Sequence, residues 1–360
     1  MRDFPIIYLK EGDILFGRAG SIERHTYVTK EFEGCFQGTN CIRIRCNNPE
    51  IAAYVSYYLW SPQVKQTIIN KTGGSVLSYI TTDLLSEIVV DLPDEKTLKA
   101  VSRILLTIDW KIQNNNCIND NLQHQLQTLY DYWFTQFDFP DENGRPYRSS
   151  GGAMEYNKAM KRLIPSEWKV ESVVDNSITS VIKPGVEPFN AKTYLATADV
   201  NGTSISAGNQ IEYETREGRA NMQPTTYSVW FAKMKNSIKH LYLNPAMSPV
   251  VENIILSTGF CGLQCDEVTF EYIASYIEHS YFETMKNILA HGATQEAVNN
   301  DDMTSIPLAI PSVDVLQRYH ESTRHLYAQI SNNICENHQL AQLRDWLLPM
   351  LMNGQATIED

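Results

Sequence analysis

Cationic side chains follow two apolar, strand-like segments of the chain, in positions from which they could read DNA. Arg18, Arg24 and His25 come after residues 13–16, DILF, and a similar cluster comes after residues 229–231, VWF. The members of the second cluster are Lys233, Lys235, Lys239 and His240. Side chains at the end of a strand are well placed for phosphates and base edges. Ordinary solvated loop charge explains each residue equally well, so both interpretations stay open.

A third polar cluster lies in the segment TREGRANMQP, residues 215–224. Arg216 and Arg219 carry forked guanidinium donors that suit guanine, and the amide of Asn221 suits adenine. Two glycine-containing segments could bring backbone N–H groups close to phosphate, although plain turns explain them as well. These segments are Gly73-Gly74-Ser75 and Gly292-Ala293-Thr294.

One segment of this chain matches the residue types and spacing of a nuclease motif, but not the arrangement that nuclease chemistry requires. Pro93-Asp94 followed by Asp109-Trp110-Lys111 fits the spacing PD…(D/E)xK. That chemistry needs carboxylates and a lysine that converge on a metal ion. Asp109 and Lys111 instead fall within a helical heptad pattern, on different faces, which disfavours a nuclease site.

Motifs for methyl transfer and for zinc are also incomplete. Asn48-Pro49 and Asn244-Pro245 lack the second proline of a methyltransferase turn, and the glycines near residue 17 do not form GxGxxG. Cys261 and Cys265 have neither a second cysteine pair nor a histidine cluster in range. We therefore expect no catalytic residue, no metal and no cofactor, and a protein that is not itself an enzyme.

The composition indicates a two-domain protein of the cytoplasm. The chain has 360 residues, 43% of them hydrophobic, and domains have about 100 to 200 residues. Seven scattered cysteines indicate reduced thiols rather than a disulfide framework. No apolar run approaches the ~20 residues of a membrane helix, so we expect no membrane contact. The net charge of −12 means either that the chain avoids nucleic acid, or that its DNA-binding faces are local and a partner supplies charge.

The chain contains two copies of one plan. Residues 74–93 match residues 292–311 at a constant offset of 218, and the same offset aligns NNNCIN at 114–119 with NNICEN at 332–337. Each copy is expected to be a mixed α/β segment followed by a long helix. The predicted strands are 13–16, 41–45 and 88–92, with counterparts 229–231, 254–257 and 306–310, and the predicted shorter helices are 52–69 and 271–290.

Each long helix carries a heptad seam with two asparagines at its centre. The seams are Leu105, Ile108, Ile112, Asn115, Asn119, Leu122, Leu126, Leu129 and Trp133, and then Leu326, Ile330, Asn333, Asn337, Leu340, Leu347 and Leu351, with Thr323 and Arg344 as weaker positions. We expect the helices to pack antiparallel, because paired buried asparagines fix register. Asn115 would then face Asn337, and Asn119 would face Asn333. Amphipathic helices with solvent-facing asparagines are the alternative.

Four segments, by their order and duplication, carry a resemblance to a known family. They are IPSEW at 164–168, GATQEAVNNDDMTSIPLAIP at 292–311, LYDYWFTQF at 129–137 and LRDWLLPMLMNG at 343–354. The plan resembles the DNA specificity subunit of Type I restriction–modification systems. The resemblance implies an α+β fold in which two long antiparallel, coiled-coil-like helices separate two target-recognition domains. Each domain would read one half of a split sequence in double-stranded DNA, and the helices would set the spacer.

The resemblance also implies partners. Two methyltransferase subunits would dock on the helices, and a restriction/translocase subunit would join them in the cytoplasm. Two other functions stay open: a helical dimerisation scaffold that does not read DNA, and a nuclease or methyltransferase with degenerate motifs.

The implied domains follow the repeat. They are a first target-recognition domain at 1–95, a first conserved helix at 96–139, an exposed linker at 140–164, a second target-recognition domain at 165–311 and a second conserved helix at 312–352. The first domain is expected to be N-terminally short, because only residues 1–12 stand where the second copy has 165–227. This deficit predicts lower stability and an exposed apolar surface that either a second copy of the chain, by self-association, or a methyltransferase subunit covers. That surface would include Ile6, Ile7, Tyr8, Ile14 and Phe16.

Overall fold

The structure, a computed structural model, describes residues 8–72, 79–206, 208–293 and 295–356. The chain divides into a first unit, residues 1–112 and 340–360, and a second unit, residues 113–339. This division falls within both long helices instead of at their ends. Both units combine helices with mostly antiparallel sheets, which confirms the predicted α+β class.

The first unit is built on a three-stranded antiparallel sheet. Its strands are β1 Ile14–Gly17, β2 His25–Tyr27 and β3 Cys41–Ile44, in the order β2-β1-β3. The helices that follow are α1 Ala52–Trp60, α2 Pro62–Thr72, α3 Thr82–Ser86 and α4 Glu95–Tyr130. Helix α4 passes into the second unit at residue 113, and within that unit a π-helical turn, Asp131–Thr135, continues it.

The core of the first unit differs from the predicted apolar surface. Ile14 and Phe16 are fully buried and cluster with Val55, Leu59 and Ile68. The prediction that Ile14 and Phe16 are exposed is therefore wrong, because side chains of α1 and α2 cover them. Tyr8 is 42% exposed, as expected. The other two predicted members, Ile6 and Ile7, lie outside the described residues.

The second unit holds more strands than the first. They are β4 Met154–Asn157, β5 Arg162–Pro165, β6 Lys169–Ser172, β7 Thr179–Val181, β8 Lys192–Leu195, β9 Val200–Asn201, β10 Ser204–Ile205, β11 Asn209–Ile211, β12 Ala220–Met222, β13 Ser228–Ala232, β14 His240–Leu243, β15 Ile254–Ser257, β16 Phe260–Cys265 and β17 Pro307–Ile310. The helices are α5 Ser248–Val251, α6 Phe270–Glu278, α7 Ser280–Leu289, α8 Asn300–Met303 and α9 Val313–Met352. Two four-stranded sheets, β14-β13-β16-β7 and β11-β8-β15-β12, form its centre.

The internal repeat is confirmed element by element. Helices α6, α7, α8 and α9 begin 218 residues after α1, α2, α3 and α4, respectively. The β1–β2 hairpin places Phe16 opposite His25, and the β13–β14 hairpin places Phe231 opposite His240. The two copies therefore share one hairpin register as well as one order of helices.

Both predicted shorter helices, 52–69 and 271–290, are divided in two. The break lies at Ser61 in the first unit and at His279 in the second, 218 residues later, and both residues leave the helical conformation with ψ of 145° and 138°. Pro62 follows the first break, where its ring disfavours a helical Ser61 and suits the first position of the next helix.

The predicted strand 88–92 is irregular in the structure, so that prediction is wrong. Its counterpart β17 pairs antiparallel with β6. Strand β6 lies in the segment 165–227, and the described residues of the first unit include no strand that corresponds to it. Residues 88–92 pair with no strand in the described part of the chain, and Val89 is consequently 83% exposed.

The predicted match of 41–45 with 254–257 is also wrong. Strand β3 places Ile42 beside Phe16, and β16 places Cys261 beside Phe231, so β16 is the counterpart of β3. Residues 254–257 do form a strand, β15. That strand pairs parallel with β8, in a sheet whose other strands come from segments that the first copy lacks.

The segment 140–164, predicted to be a linker, is folded. It contains β4, which pairs with the following strand β5. Phe139 stacks on Tyr147 and Trp168, with ring centroids 4.7 and 5.4 Å apart. Arg318 of α9 donates hydrogen bonds to the carbonyl oxygens of Pro140 and Asp141. The Gly- and Pro-rich composition therefore makes tight turns here, not a flexible connection.

Within the second unit, α4 and α9 are antiparallel. The side-chain amide of Asn115 donates to Asn337 over 2.9 Å, and that of Asn333 donates to Asn119 over 2.8 Å. Asn115, Asn119 and Asn333 are buried. The predicted antiparallel pairing and both asparagine contacts are thus confirmed.

Candidate nucleic-acid interface

The loops that close the two equivalent hairpins carry most of the predicted DNA-contacting cations. The β1–β2 loop consists of residues 18–24, and the β13–β14 loop consists of residues 233–239. In each, the carbonyl of the first residue accepts a 3.0 Å hydrogen bond, at Arg18 from Ile80 and at Lys233 from Val298. The sequence therefore places cations on the same structural feature in both units.

The cations of the first loop lie at the surface. Arg18 and Arg24 are both exposed. The side chain of Arg24 retains 73% of its exposure and lies 3.8 Å from Glu23, too far for a close ion pair. Both guanidinium groups are accessible to an external anion.

The cations of the second loop are partly engaged within the protein. Lys235 forms a 2.7 Å ion pair with Glu296, and the ammonium group of Lys239 donates to the carbonyl oxygen of Thr197. Lys233 is half-buried. The structure thus keeps these three cations on one short loop and ties two of them to neighbouring segments.

The two predicted histidines are buried and do not face a surface. His25 stacks between Phe16 and Trp60, and its Nε2 lies 3.0 Å from the carbonyl oxygen of Ser56. Burial lowers the pKa of His25 to about 4, more than the Ser56 contact raises it. The neutral ring is therefore part of the core, and the prediction that His25 contacts DNA is contradicted.

His240 is 1% exposed and has two carboxylate neighbours. Its Nδ1 lies 3.1 Å from Glu278, and its Nε2 lies 3.1 Å from Glu283. Burial opposes protonation, but the hydrogen bonds and charges of the two glutamates outweigh it and raise the pKa of His240. Its role is internal, so the prediction that His240 contacts DNA is contradicted too.

A second cationic surface lies between β11 and β12. The guanidinium group of Arg216 stacks on Tyr213, 3.9 Å from the ring centroid, and donates to the Tyr213 carbonyl oxygen over 2.5 Å. Arg219 is exposed and Asn221 is half-buried at the start of β12. The three predicted residues of this segment therefore lie on one loop and its adjoining strand.

Sequence reasoning missed three side chains beside this surface. Tyr213 contacts Phe189 edge to face, with ring centroids 5.7 Å apart, and the ammonium group of Lys192 lies 5.8 Å from the centroid of the Phe189 ring. Two aromatic rings in contact, Phe189 and Tyr213, therefore lie between the cations Lys192 and Arg216. The interleaving of both residue types in PFNAK and YETREGR is the signal that could have found them.

The catalytic patterns do not form catalytic sites. Asp94 caps α4 by accepting from the Thr97 backbone N–H at 3.1 Å. Asp109 lies four turns further along α4, on the order of 20 Å away at 1.5 Å per residue, where it accepts from Tyr57 and Arg344. These two carboxylates cannot share one metal ion.

The described residues offer no alternative metal or membrane site. Cys261 and Cys265 are buried on β16, and burial raises the pKa of Cys261 to about 12, so its thiol stays protonated. No group of three His, Cys, Asp or Glu within the described ranges could hold a metal ion. In the same ranges, no helix has both the length and the apolar character of a bilayer span. The glycine segment 73–75 and Thr294 lie outside the described residues.

Comparison with known proteins gives a consistent result. Residues 5–124 match the family model of the Type I restriction modification DNA specificity domain. The HindI specificity subunit of a Type I restriction enzyme from Haemophilus influenzae is 20% identical over 408 residues, which cover 96% of this chain and 87% of that protein. The MjaIX specificity subunit from Methanocaldococcus jannaschii is 21% identical over 324 residues, which cover 86% of this chain and 70% of that protein. The solved S subunit from M. genitalium is 14% identical, with a TM-score of 0.47, and covers 96% of this chain and 84% of that one.

Proposed function

We propose that this chain, which belongs to the Type I restriction–modification DNA specificity family, reads a two-part DNA sequence for the enzymatic subunits of its complex. The observation that carries the proposal is the duplicated hairpin, whose register is the same in both units and whose loop carries cations in both. A fold that occurs twice in one chain suits a DNA target with two halves. The recognition domains are residues 1–95 and 165–311.

The second recognition domain has the more elaborate candidate surface. Arg216 and Arg219 supply guanidinium donors of the type that reads guanine in the major groove, and Lys233 supplies a cation for phosphate. The stack of Arg216 on Tyr213 holds one guanidinium plane before any ligand arrives. A pre-ordered donor loses less conformational entropy on binding, which favours sequence discrimination over simple attraction.

The chain acts without catalysis of its own and as a scaffold. Two methyltransferase subunits dock on the paired helices α4 and α9, and a restriction/translocase subunit completes the complex on double-stranded DNA. The net charge of −12 supports this division of labour, because the chain alone is a poor polyanion binder. The separation of Asp94 from Asp109 supports the absence of a nuclease site.

Binding by the reconstituted complex tests this function. The full chain, assembled with its methyltransferase subunits, is expected to bind a duplex with both half-sites at least tenfold tighter than a duplex with one half scrambled. The chain alone is expected neither to transfer methyl groups nor to cut DNA. Equal affinity for all duplexes would instead support a dimerisation scaffold, and unaided catalysis would establish an enzyme.

A further inference from the structure

Side chains of α7 hold the β13–β14 loop, residues 233–239, from beneath. The ammonium group of Lys286 donates to the carbonyl oxygens of Ala232 and Ser237, at 3.0 Å each. The side-chain oxygen of the next residue, Asn287, accepts a 2.8 Å hydrogen bond from the backbone N–H of Asn236. Two adjacent residues of one helix thus contact the beginning and the middle of the loop.

Lys286 is an unusual residue for this position, because its side chain is fully buried. Burial lowers the pKa of Lys286, although Glu283, 2.7 Å away, works in the opposite direction. Burying an ammonium group costs several kcal/mol unless partners compensate for it. Here the compensation comes from one carboxylate and from two carbonyl oxygens at the ends of the loop.

The loop also needs support because one of its residues has an uncommon conformation. Asn236 has a φ of 54°, in the left-handed region that non-glycine residues rarely adopt. The contact with Asn287 fixes this residue. The same carboxylate that pairs with Lys286 also contacts His240, at the far end of the loop. The α7 contacts therefore hold the backbone of the loop that carries Lys233, Lys235 and Lys239.

The first unit shows that the fold itself does not require these contacts. At the positions equivalent to Lys286 and Asn287, it has Ile68, which is fully buried, and Ile69. Its β1–β2 loop nevertheless keeps the shared backbone hydrogen bond from Ile80 to Arg18. An isoleucine therefore fits the site, and the hydrogen-bonding pair is an addition in the second unit.

We propose that Lys286 and Asn287 are positioning residues for DNA recognition, which fix the β13–β14 loop so that its cations meet the DNA backbone in one register. They act through the loop and do not contact DNA. The inference rests on the proposed function, since it concerns a loop that faces DNA only if the chain is a specificity subunit.

The test compares K286I and N287A with wild type in the full chain, assembled with its methyltransferase subunits. K286I introduces the residue that the first unit has at this position, and N287A removes a single hydrogen bond from a half-buried residue. I288A, at a 69% exposed position on the same helix, is the matched control. The probes are a duplex with the modified motif mapped in the source strain and a scrambled duplex of equal length.

K286I is expected to bind the motif duplex roughly tenfold more weakly than wild type. The slope of log affinity against log salt should fall by about one for each displaced lysine. Amides 233–239 should exchange hydrogen faster, with unchanged protection in β13 and α6. N287A is expected to show smaller changes in affinity, salt slope and hydrogen exchange, and I288A is expected to show no change in any of them. A merely structural role would lower the melting temperature without changing the salt slope.

Wild-type affinity and wild-type loop protection in both variants would overturn the inference. If K286I melts far below wild type, its weaker binding could come from unfolding, and N287A is then the variant that tests the inference. An unchanged salt slope in N287A would overturn the inference. A wild-type complex that binds motif and scrambled duplexes equally would overturn the proposed function first, and the inference with it. Wild-type affinity and salt slope in K286I, in a complex whose wild-type form does prefer the motif duplex, would overturn the inference alone.

Discussion

The side-chain amide of Asn333 donates a 2.8 Å hydrogen bond to the side chain of Asn119, and both residues are more than nine-tenths buried. Asn115 and Asn337 make the second such pair, and Asn337 also donates to Asn116. A buried amide is costly without a partner, so each pair disfavours any helix register that would separate its members. The polar layer therefore selects one antiparallel arrangement of α4 and α9 within the second unit.

Removing one member of the Asn119–Asn333 pair should cost more than removing both. N119L is expected to lower the free energy of unfolding by about 1–3 kcal/mol, because the buried Nδ2 donor of Asn333 loses the acceptor that Asn119 provides. The double variant N119L/N333L should recover most of that loss. Chemical denaturation of the four members of a double-mutant cycle measures the coupling, with N114A at an exposed position as control. Strictly additive losses would contradict a paired polar layer.

Arg219 should contribute to sequence discrimination without affecting stability. R219A is expected to weaken binding to the modified motif by roughly tenfold or more, because a guanidinium–guanine contact is worth about 1–3 kcal/mol. Lys158, an exposed cation in the β4–β5 turn, provides a control of equal charge in the same unit. Titrations of R219A and K158A with motif and scrambled duplexes measure the difference. If both variants lose the same affinity for both duplexes, Arg219 contributes only non-specific electrostatic attraction to DNA.

The first unit should be the less stable of the two. In the described part of the chain, residues 88–92 have no strand partner of the kind that β6 provides for β17, and the first unit has one three-stranded sheet where the second has several. Native-state hydrogen exchange should give smaller opening free energies for amides 14–16 than for amides 229–231, their counterparts in β13. Equal protection in the two hairpins would show that the missing pairing has no energetic consequence.

The equivalent histidines should respond to pH in opposite ways. The pKa of His25 is lowered to about 4 from its usual 6.5, and its Nδ1 has no partner, so the stability from the neutral ring is lost as pH falls from 6.5 towards 4. That loss is at most about 3 kcal/mol. The raised pKa of His240 has the reverse effect, since its stabilisation is complete below 6.5 and is lost as pH rises through the raised value. Thermal unfolding between pH 7.5 and 4.5 should show a smaller loss in H25F than in wild type, and identical profiles would exclude His25 as the cause.

Periodicity predicted the features that depend on local spacing. The heptad seam located Asn115 and Asn119 and paired them correctly, because the period of a helix fixes which side chains share a face. Helical patterns also located the segments 52–69 and 271–290 and both long helices, whereas the short helices α3 and α8 were not predicted. The two hairpins are related by an offset of 215 rather than the 218 of the helices, so their cationic loops were located from the similar strand-like segments 13–16 and 229–231.

Properties that depend on distant neighbours were not predictable in this way. His25 and Arg24 are adjacent in sequence, yet one is buried and the other exposed, because Arg24 ends the β1–β2 loop whereas His25 begins β2 and packs into the core. Residues 88–92 have the composition of a strand but no partner, and pairing is a property of two segments. The burial of Lys286 is a tertiary feature with no local signal, since a helical lysine is ordinarily exposed.

The central claim is that this chain reads a two-part DNA sequence. The most direct test is to map modified bases across the genome of the source strain, once with this gene and once without it. The account predicts a two-part modified motif that disappears when the gene is deleted and returns with the wild-type gene. A gene carrying R216A and R219A should restore modification with relaxed choice of bases in one half of the motif and an unchanged other half. Modification that persists in the deletion strain, or a motif whose two halves change together, would contradict the account.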